Sequence, residues 1–404
     1  MESIVFNKNQ EYNLSNEDKN NVIHMVENAL AQAHQYAATR SFDEVGVTLA
    51  TVPYLEKLYQ LYPDDRICLF TGAGVSFTES KYYKSPGWWD LLMEIYGRIR
   101  PDLTECDLVL NFKRLREKYS HPWRMASFLQ LQTKGDRFTE ILCELLYRRT
   151  PVKDLKLRPI GADEDKRLPR AYLNRASTLN SVIAFCSSIR AIRAHACYEK
   201  NDKIQAVLTL NYDSFLEAGA TQKYNSGRFK PRISNEPPEK EEQLPVYHIH
   251  GYIPYGGRKP AKELVLTSKS YKNEYKPGGK TREILDQFLG KFSTLFIGIS
   301  FDDELLLQRL EALAKKDIAR YHFALLKQGT SNKLLNRILS ANVFPILYSC
   351  HEQIPMILKH VYITGLPETS IVDIEAIING KINKVGKMQL SKDEYWKLLV
   401  FNKT

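Results

Sequence analysis

The 404-residue sequence contains no run of 18 consecutive apolar residues, and its N-terminus lacks a basic stretch followed by a long apolar one. A membrane-spanning helix needs about 20 predominantly apolar residues. A secretory signal peptide needs a basic region and then an apolar region of at least 7 residues or so. The sequence therefore predicts a protein with no membrane span and no secretory signal, located in the cytoplasm.

Cysteine is scarce, and no two cysteines are spaced as a CxxC pair. Structural zinc sites and disulfide frameworks both rest on clustered or regularly spaced cysteines. The spacing therefore predicts reduced thiols and no metal site. The six cysteines are Cys68, Cys106, Cys143, Cys186, Cys197 and Cys350.

Composition excludes disordered and fibrous classes, because 43% of the residues are hydrophobic and 26% are charged, as in ordinary globular proteins. The net charge of +10 favours acidic partners such as nucleic acid or a phosphorylated ligand. The basic residues are spread along the chain, however, and do not alternate with aromatic residues as in a base-stacking surface. We therefore interpret them as solvated surface, and no motif indicates nucleic-acid binding.

Short apolar runs alternate with stretches of helical periodicity through much of the chain, a pattern typical of a parallel sheet covered on both faces. The predicted fold class is α/β, a doubly wound, mostly parallel, Rossmann-like sheet. The predicted strands are residues 67–70, 206–210, 245–250, 264–266, 294–297, 322–326 and 343–347.

Three further segments surround this sheet. Residues 1–60 show helical spacing and are predicted as an N-terminal helical segment, and residues 366–404 as a short basic C-terminal tail. The catalytic domain is predicted at residues 61–365, with an all-α insertion at about 101–203. A polar, proline-containing stretch at residues 221–243 is predicted to be a surface loop.

The strongest local motif is a glycine-rich loop that follows the first strand and contains Gly72, Ala73, Gly74 and Ser76. Glycines let a backbone approach phosphates closely, and a following helix N-terminus offers N–H donors. Phe77 replaces the third glycine of the dinucleotide motif. The loop therefore indicates a phosphate-containing ligand but does not specify a dehydrogenase.

Polar residues follow three other strands, at the edge where ligands bind in doubly wound sheets. Asn211 and Asp213 are placed to reach a nucleotide, although they are equally suited to capping the next helix. His248 and His250 alternate on one strand, and one of them is a candidate general base; a metal site is the less favoured alternative.

The loop after the predicted strand 294–297 contains Gly298 and Ser300, which are predicted to contact phosphate or ribose. Asp302 or Asp303 is predicted to cap the following helix rather than to act in catalysis. Counted with the glycine-rich loop, four strand ends are predicted to meet at one cleft.

Taken in order, the GAGxS loop at residues 72–76, the TxNxD pattern at 209–213, His250-Gly251 and the Gly-x-Ser loop at 298–300 resemble the sirtuin family over roughly residues 61–350. The resemblance implies that the glycine-rich loop binds NAD phosphates. It implies that Asn211 and Asp213 address the nicotinamide ribose and that His250 is the catalytic base.

The chain departs from deacetylase sirtuins because it lacks their GIPxFR stretch and their four-cysteine zinc module. With residues 264–267, Tyr271 and Tyr275, these departures are similar to bacterial sirtuin-like domains of antiphage defence, which hydrolyse NAD and so starve an infected cell. The resemblance implies an NAD hydrolase with NAD as substrate and no metal. It also implies a homo-oligomer and a regulatory or phage-sensing protein partner. An NAD-dependent deacylase or ADP-ribosyl transferase, and a non-catalytic NAD or ADP-ribose sensor, remain as alternatives.

Overall fold

The structure is a computed structural model that describes residues 67–76, 87–133, 136–147, 176–186 except 184, 204–224, 229–232, 244–254, 264–316 and 320–364, with residues 54, 57, 58 and 260. The predicted C-terminal tail, and nearly all of the predicted N-terminal helical segment, lie outside these residues. In the described part of the chain, no helix is long and apolar enough to cross a membrane.

Seven strands form one sheet in the order β3-β4-β2-β1-β5-β6-β7, and every neighbouring pair is parallel. This confirms the predicted α/β class with a parallel, doubly wound sheet. The strands are β1 Ile67–Thr71, β2 Ile204–Thr209, β3 Phe229–Arg232, β4 Leu244–His248, β5 Ser293–Ile297, β6 His322–Lys327 and β7 Val343–Tyr348.

The helices flank this sheet and connect its strands. They are α1 Trp88–Ile99, α2 Glu105–Tyr119, α3 Pro122–Leu131, α4 Arg137–Leu146, α5 Phe215–Tyr224, α6 Ser268–Tyr275, α7 Lys280–Leu289, α8 Glu304–Ala314, α9 Asn332–Ser340 and α10 Gln353–Thr364. A 3₁₀ helix, Ala73–Ser76, follows β1 directly.

The central strand shows why the sheet is covered on both faces. All five residues of β1 are buried. Because successive side chains of a strand point to opposite faces, Ile67 and Leu69 enter one hydrophobic cluster, whereas Cys68 and Phe70 enter another. A strand buried on both faces requires the continuous apolar run seen in the sequence.

The predicted helical insertion is described only in part. Residues 105–119, 122–131, 137–146 and most of 177–186 are helical, in agreement with that prediction. α1, α3 and α4 contribute Leu92, Met125 and Leu142, each fully buried, to the larger of the two hydrophobic clusters. The domain boundaries themselves remain predictions.

Two segments differ from the sequence-based expectation. The predicted loop at 221–243 contains the end of α5 and the edge strand β3. Residues 264–266, predicted as a strand, lie outside the sheet as an extended segment, where the Val265 N–H donates to the His250 carbonyl over 2.8 Å. An apolar run of three residues does not distinguish a strand from a buried extended segment.

The burial of His322, at the start of β6, predicts how the free energy of unfolding responds to acid. It is 3% exposed, its Nδ1 has no hydrogen-bond partner among the described residues, and burial lowers its pKa to about 4. A lowered histidine pKa gives stability that is present above about pH 6.5 and is lost as the pH falls towards the folded-state value. Between pH 7.5 and pH 5, the free energy of unfolding should therefore fall by about 2 kcal/mol less in His322→Leu than in the wild type.

Urea unfolding of the wild type and His322→Leu at pH 7.5 and pH 5 measures this difference. His250 is buried in the same way and is unchanged in both proteins, so only the difference between the two acid-induced losses is informative. Equal losses in the two proteins would show that His322 is not held neutral by burial.

Candidate functional site

A cleft of about 700 Å³ lies along the carboxyl edge of the sheet. It is lined by residues that follow β1, β2, β4, β5, β6 and β7, as the strand-end rule predicts for this fold. Every predicted site residue lines it except Ser76. Those that do are Gly72, Ala73, Gly74, Asn211, Asp213, His250, Gly298 and Ser300.

The glycine-rich loop packs directly on the loop that follows β5. The Gly72 N–H donates to the Ile297 carbonyl and the Gly74 N–H to the Gly298 carbonyl, both over 3.0 Å. A Cβ atom on Gly72 would lie 2.5 Å from the Gly298 oxygen. The glycines are therefore required by contact between the two loops, a reason that the sequence did not indicate.

Because of this packing, three amide N–H groups of the glycine-rich loop are already hydrogen-bonded within the protein. The N–H groups of Gly72, Gly74 and Val75 donate to carbonyl oxygens of the protein. Ala73 is the first residue of the 3₁₀ helix, and its N–H has no partner among the residues that the structure describes. An unpaired amide at the start of a helical turn is suited to an anionic oxygen.

Ser76 lies behind the loop, 1% exposed, and its hydroxyl is 3.4 Å from both carboxylate oxygens of Asp213. Asp213 also accepts from the Phe215 N–H over 3.2 Å, so it caps the start of α5 while lining the cleft. Burial raises the pKa of Asp213 to about 6. At neutral pH this group is therefore still mostly the charged carboxylate.

Asn211 is hydrogen-bonded through both its side chain and its main chain. Its side-chain Nδ2 donates to the Gly72 carbonyl over 3.1 Å, and its main-chain carbonyl oxygen is 2.9 Å from His248 Nδ1. These contacts tie the end of β2 to the glycine-rich loop on one side and to β4 on the other. Asn211 therefore presents a fixed polar group to the cleft.

The structure separates the two histidines of the His-x-His pair. His248, the last residue of β4, is 1% exposed and does not line the cleft. Its Nε2 lies 2.6 Å from the Glu217 carboxylate. Burial acts to lower the pKa of His248, but the Glu217 carboxylate, the Asn211 carbonyl and the Asp213 carboxylate together outweigh it, and the pKa is raised. Within the described residues, no group of three histidine, cysteine or acidic side chains could hold a metal ion.

His250 lies in the turn after β4 and lines the cleft while being 3% exposed. Its Nε2 is 2.9 Å from the Tyr275 hydroxyl, and its Nδ1 is 3.3 Å from the Tyr271 hydroxyl. Burial lowers the pKa of His250 to about 3. The imidazole is therefore neutral at physiological pH, which is the form that a general base requires.

Asp303 caps α8, as the sequence predicted for Asp302 or Asp303, and accepts from the Leu305 and Leu306 N–H groups through Oδ1. Its second oxygen, Oδ2, lies 3.4 Å from the Tyr275 hydroxyl and 3.7 Å from His250 Nε2. Burial raises the pKa of Asp303, and the hydrogen bonds from the Leu306 and Leu305 N–H groups and from the Tyr275 hydroxyl oppose that rise.

The sequence analysis did not assign Asp303 or Tyr275 to the site. The available signal was the four-residue spacing of Tyr271 and Tyr275, which places both rings on one face of α6. The two rings are indeed stacked, 5.8 Å apart and inclined by 4°.

The other end of the cleft, after β6 and β7, was also missed as part of the site. Lys327 and Tyr348, the last residues of β6 and β7, line it with Thr330, Ser331 and His351, which follow those strands. His351 is exposed there, and its Nδ1 lies 3.2 Å from the Tyr348 hydroxyl.

Trp88 and Trp89 line the cleft at the start of α1. The Trp88 ring lies 5.4 Å from that of Tyr212, which follows β2 and also lines the cleft. These aromatic rings give the cleft an apolar part beside its polar groups.

Part of the chain, including most of these strand ends, matches a known protein family. Residues 205–346 match the family model of a SIR2-like domain, a range that includes Asn211, His250 and Gly298 but not the glycine-rich loop. No curated protein matches the chain. The family match supports a sirtuin-like family and, with it, a function that involves NAD.

Proposed function

We propose that this protein is an NAD hydrolase that cleaves the bond between nicotinamide and ribose to give nicotinamide and ADP-ribose. One observation carries the proposal: a buried, neutral histidine, His250, lines the same cleft as the glycine-rich loop and Asn211. The cleft volume of about 700 Å³ falls within the range of small-molecule sites.

The order of the strands suggests how a dinucleotide lies in the cleft. A diphosphate at the central β1 loop would meet the free amide of Ala73 and the start of the 3₁₀ helix. The nicotinamide ribose would then lie towards Asn211 and His250, on the β2 and β4 side. The adenosine would lie towards β6 and β7, where Lys327 lines the cleft.

In the proposed reaction the glycosidic bond breaks and its electron pair leaves with nicotinamide, which leaves an oxocarbenium-like ribose. A water molecule attacks the ribose carbon, and His250 accepts the proton that the water loses. Asn211 orients the water and the ribose. Asp213, which lines the same cleft, would bond to a ribose hydroxyl. The proton on His250 then returns to solvent.

We also propose the biological role that the antiphage resemblance implies, which is depletion of NAD as an effector of defence in the cytoplasm. Homo-oligomerisation and control by a regulatory or phage-sensing partner are parts of the same proposal. The resemblance itself rests on the missing peptide-substrate features and on residues 264–267, Tyr271 and Tyr275, and the oligomer and the partner are only what that resemblance implies.

The test is incubation of the purified full chain with NAD, with nicotinamide and ADP-ribose followed by chromatography and NAD binding measured in parallel. Both products are expected from the wild type, and Asn211→Ala should yield much less of either. Nicotinamide release that requires an added acyl-lysine peptide would instead indicate a deacylase. Bound but uncleaved NAD would indicate a sensor, and absence of NAD binding would contradict the proposal.

A further inference from the structure

We infer that Asp303 and Tyr275 are positioning residues for His250, forming a hydrogen-bonded relay from the Asp303 carboxylate through the Tyr275 hydroxyl to the imidazole. The inference deepens the proposed function and rests on it, because it gives the candidate base two partners that hold its tautomer and its orientation.

The first step of the argument concerns the two oxygens of Asp303. Oδ1 accepts from the Leu305 and Leu306 N–H groups, each over 3.0 Å. These bonds fix the carboxylate on the first turn of α8, so that Oδ2 faces Tyr275 and His250. Helix capping alone needs only one oxygen. The orientation of the second oxygen therefore calls for a separate explanation.

The second step concerns the protons. An ionised carboxylate only accepts hydrogen bonds, so the Tyr275 hydroxyl donates its proton to Asp303. The Tyr275 oxygen is then an acceptor, and His250 Nε2, 2.9 Å away, must be the protonated nitrogen that donates to it. Nδ1 carries the lone pair and accepts from the Tyr271 hydroxyl over 3.3 Å. The Tyr271 hydroxyl has a single proton, so in this tautomer it donates to Nδ1 and not to the Asp303 carboxylate.

The third step is the consequence for proton transfer. Because the Tyr271 hydroxyl is bonded to Nδ1 and lines the cleft, the proton passes through it: Tyr271 gives its proton to Nδ1 and takes the proton that the water loses. The resulting imidazolium lies in a site that is 3% exposed. Burial penalises that charge. A carboxylate held 3.7 Å from Nε2, with a hydroxyl between them, offsets the penalty at the moment when the charge forms.

The surroundings hold this arrangement rigidly. The His250 carbonyl accepts from the Val265 N–H over 2.8 Å. The stacked rings of Tyr271 and Tyr275 lie on α6, whose N-terminus is capped by Thr267. Asp303 therefore lies at the start of α8, Tyr275 at the end of α6 and His250 in a bonded turn, and attachment to these fixed elements suits a role in orientation.

Two substitutions separate a relay from a purely structural role. Asp303→Asn keeps a residue that caps helices well but removes the charge. Tyr275→Phe keeps the ring stack but removes the hydroxyl. Each should lower kcat for NAD hydrolysis by about 10-fold or more, and by less than His250→Ala, because a residue that acts through the base cannot contribute more than the base. KM and the thermal midpoint should change little.

The double variants show whether the residues act through His250. Asp303→Asn and Tyr275→Phe should have no further effect on the residual turnover of His250→Ala, and together they should lower kcat little more than either alone. Additive losses would overturn the relay. Unchanged kcat in both single variants would show that Asp303 only caps α8.

Nitrogen-15 NMR of histidine-labelled full chain reads the tautomer without turnover, with His250→Ala assigning the signal. The relay predicts the Nε2–H tautomer of His250 in the wild type and a loss of that preference in Tyr275→Phe. An Nδ1–H tautomer in the wild type would overturn the relay. Absence of NAD hydrolysis together with the Nε2–H tautomer would instead contradict the proposed function alone.

Discussion

Replacing His250 with alanine is expected to reduce NAD hydrolysis by about 10²- to 10⁴-fold, the usual contribution of a general base, while NAD binding remains nearly unchanged. Of the two histidines at the end of β4, only His250 lines the described cleft. His248 lies outside it and is bonded to Glu217. The diphosphate contacts proposed at Ala73 lie on another strand end. Loss of the base should therefore change kcat and not the dissociation constant for NAD.

The measurement is steady-state release of nicotinamide together with calorimetric titration of NAD into each protein. His322→Leu is the matched control, because it also removes a buried histidine but one that does not line the cleft. It should retain wild-type turnover at pH 7.5. Wild-type turnover in His250→Ala would remove His250 from the reaction, and a large loss of NAD binding would show that its role is in binding.

Most of the sheet could be predicted because its strands are short apolar runs bounded by turn residues. β1 is buried along its whole length, and its first four residues form a continuous apolar run. The strand-end rule then places Asn211, His250 and Gly298 on one edge without any knowledge of distances. β3 was missed because it is a four-residue edge strand containing Pro231, where a proline is tolerated.

The contacts within the site could not be predicted from spacing. Tyr275 and Asp303 meet His250 only because α6 and the start of α8 pack beside the turn after β4. The sequence favoured a capping role for Asp303, and the structure confirms the cap while showing that the carboxylate has a second oxygen free to face the histidine. Capping propensity predicted the bonds of one Asp303 oxygen to the start of α8, whereas the contacts of the other oxygen depend on tertiary packing.

Gly298→Ala is expected to abolish detectable NAD binding and to destabilise the protein by several kcal/mol, through two separate effects. Gly298 has φ of +68°, a conformation that costs about 1 to 2 kcal/mol for a residue with a Cβ. The added Cβ would also lie 2.6 Å from the Val75 nitrogen and 2.8 Å from the Gly74 carbonyl carbon. These are backbone atoms, so the contact can be relieved only by moving the two loops apart.

Gly278→Ala isolates the first effect, because Gly278 has φ of +78° and a Cβ there would meet no atom within 4 Å. Urea unfolding and NAD titration of both variants give the comparison. Gly278→Ala should lose only about 1 to 2 kcal/mol and bind NAD as the wild type does. The excess loss in Gly298→Ala then measures the packing of the β5 loop on the glycine-rich loop.

Equal losses and normal NAD binding in both variants would mean that this packing does not shape the site. A selective loss of binding in Gly298→Ala would instead show that the glycines act on the ligand indirectly, by holding the Ala73 amide towards the cleft.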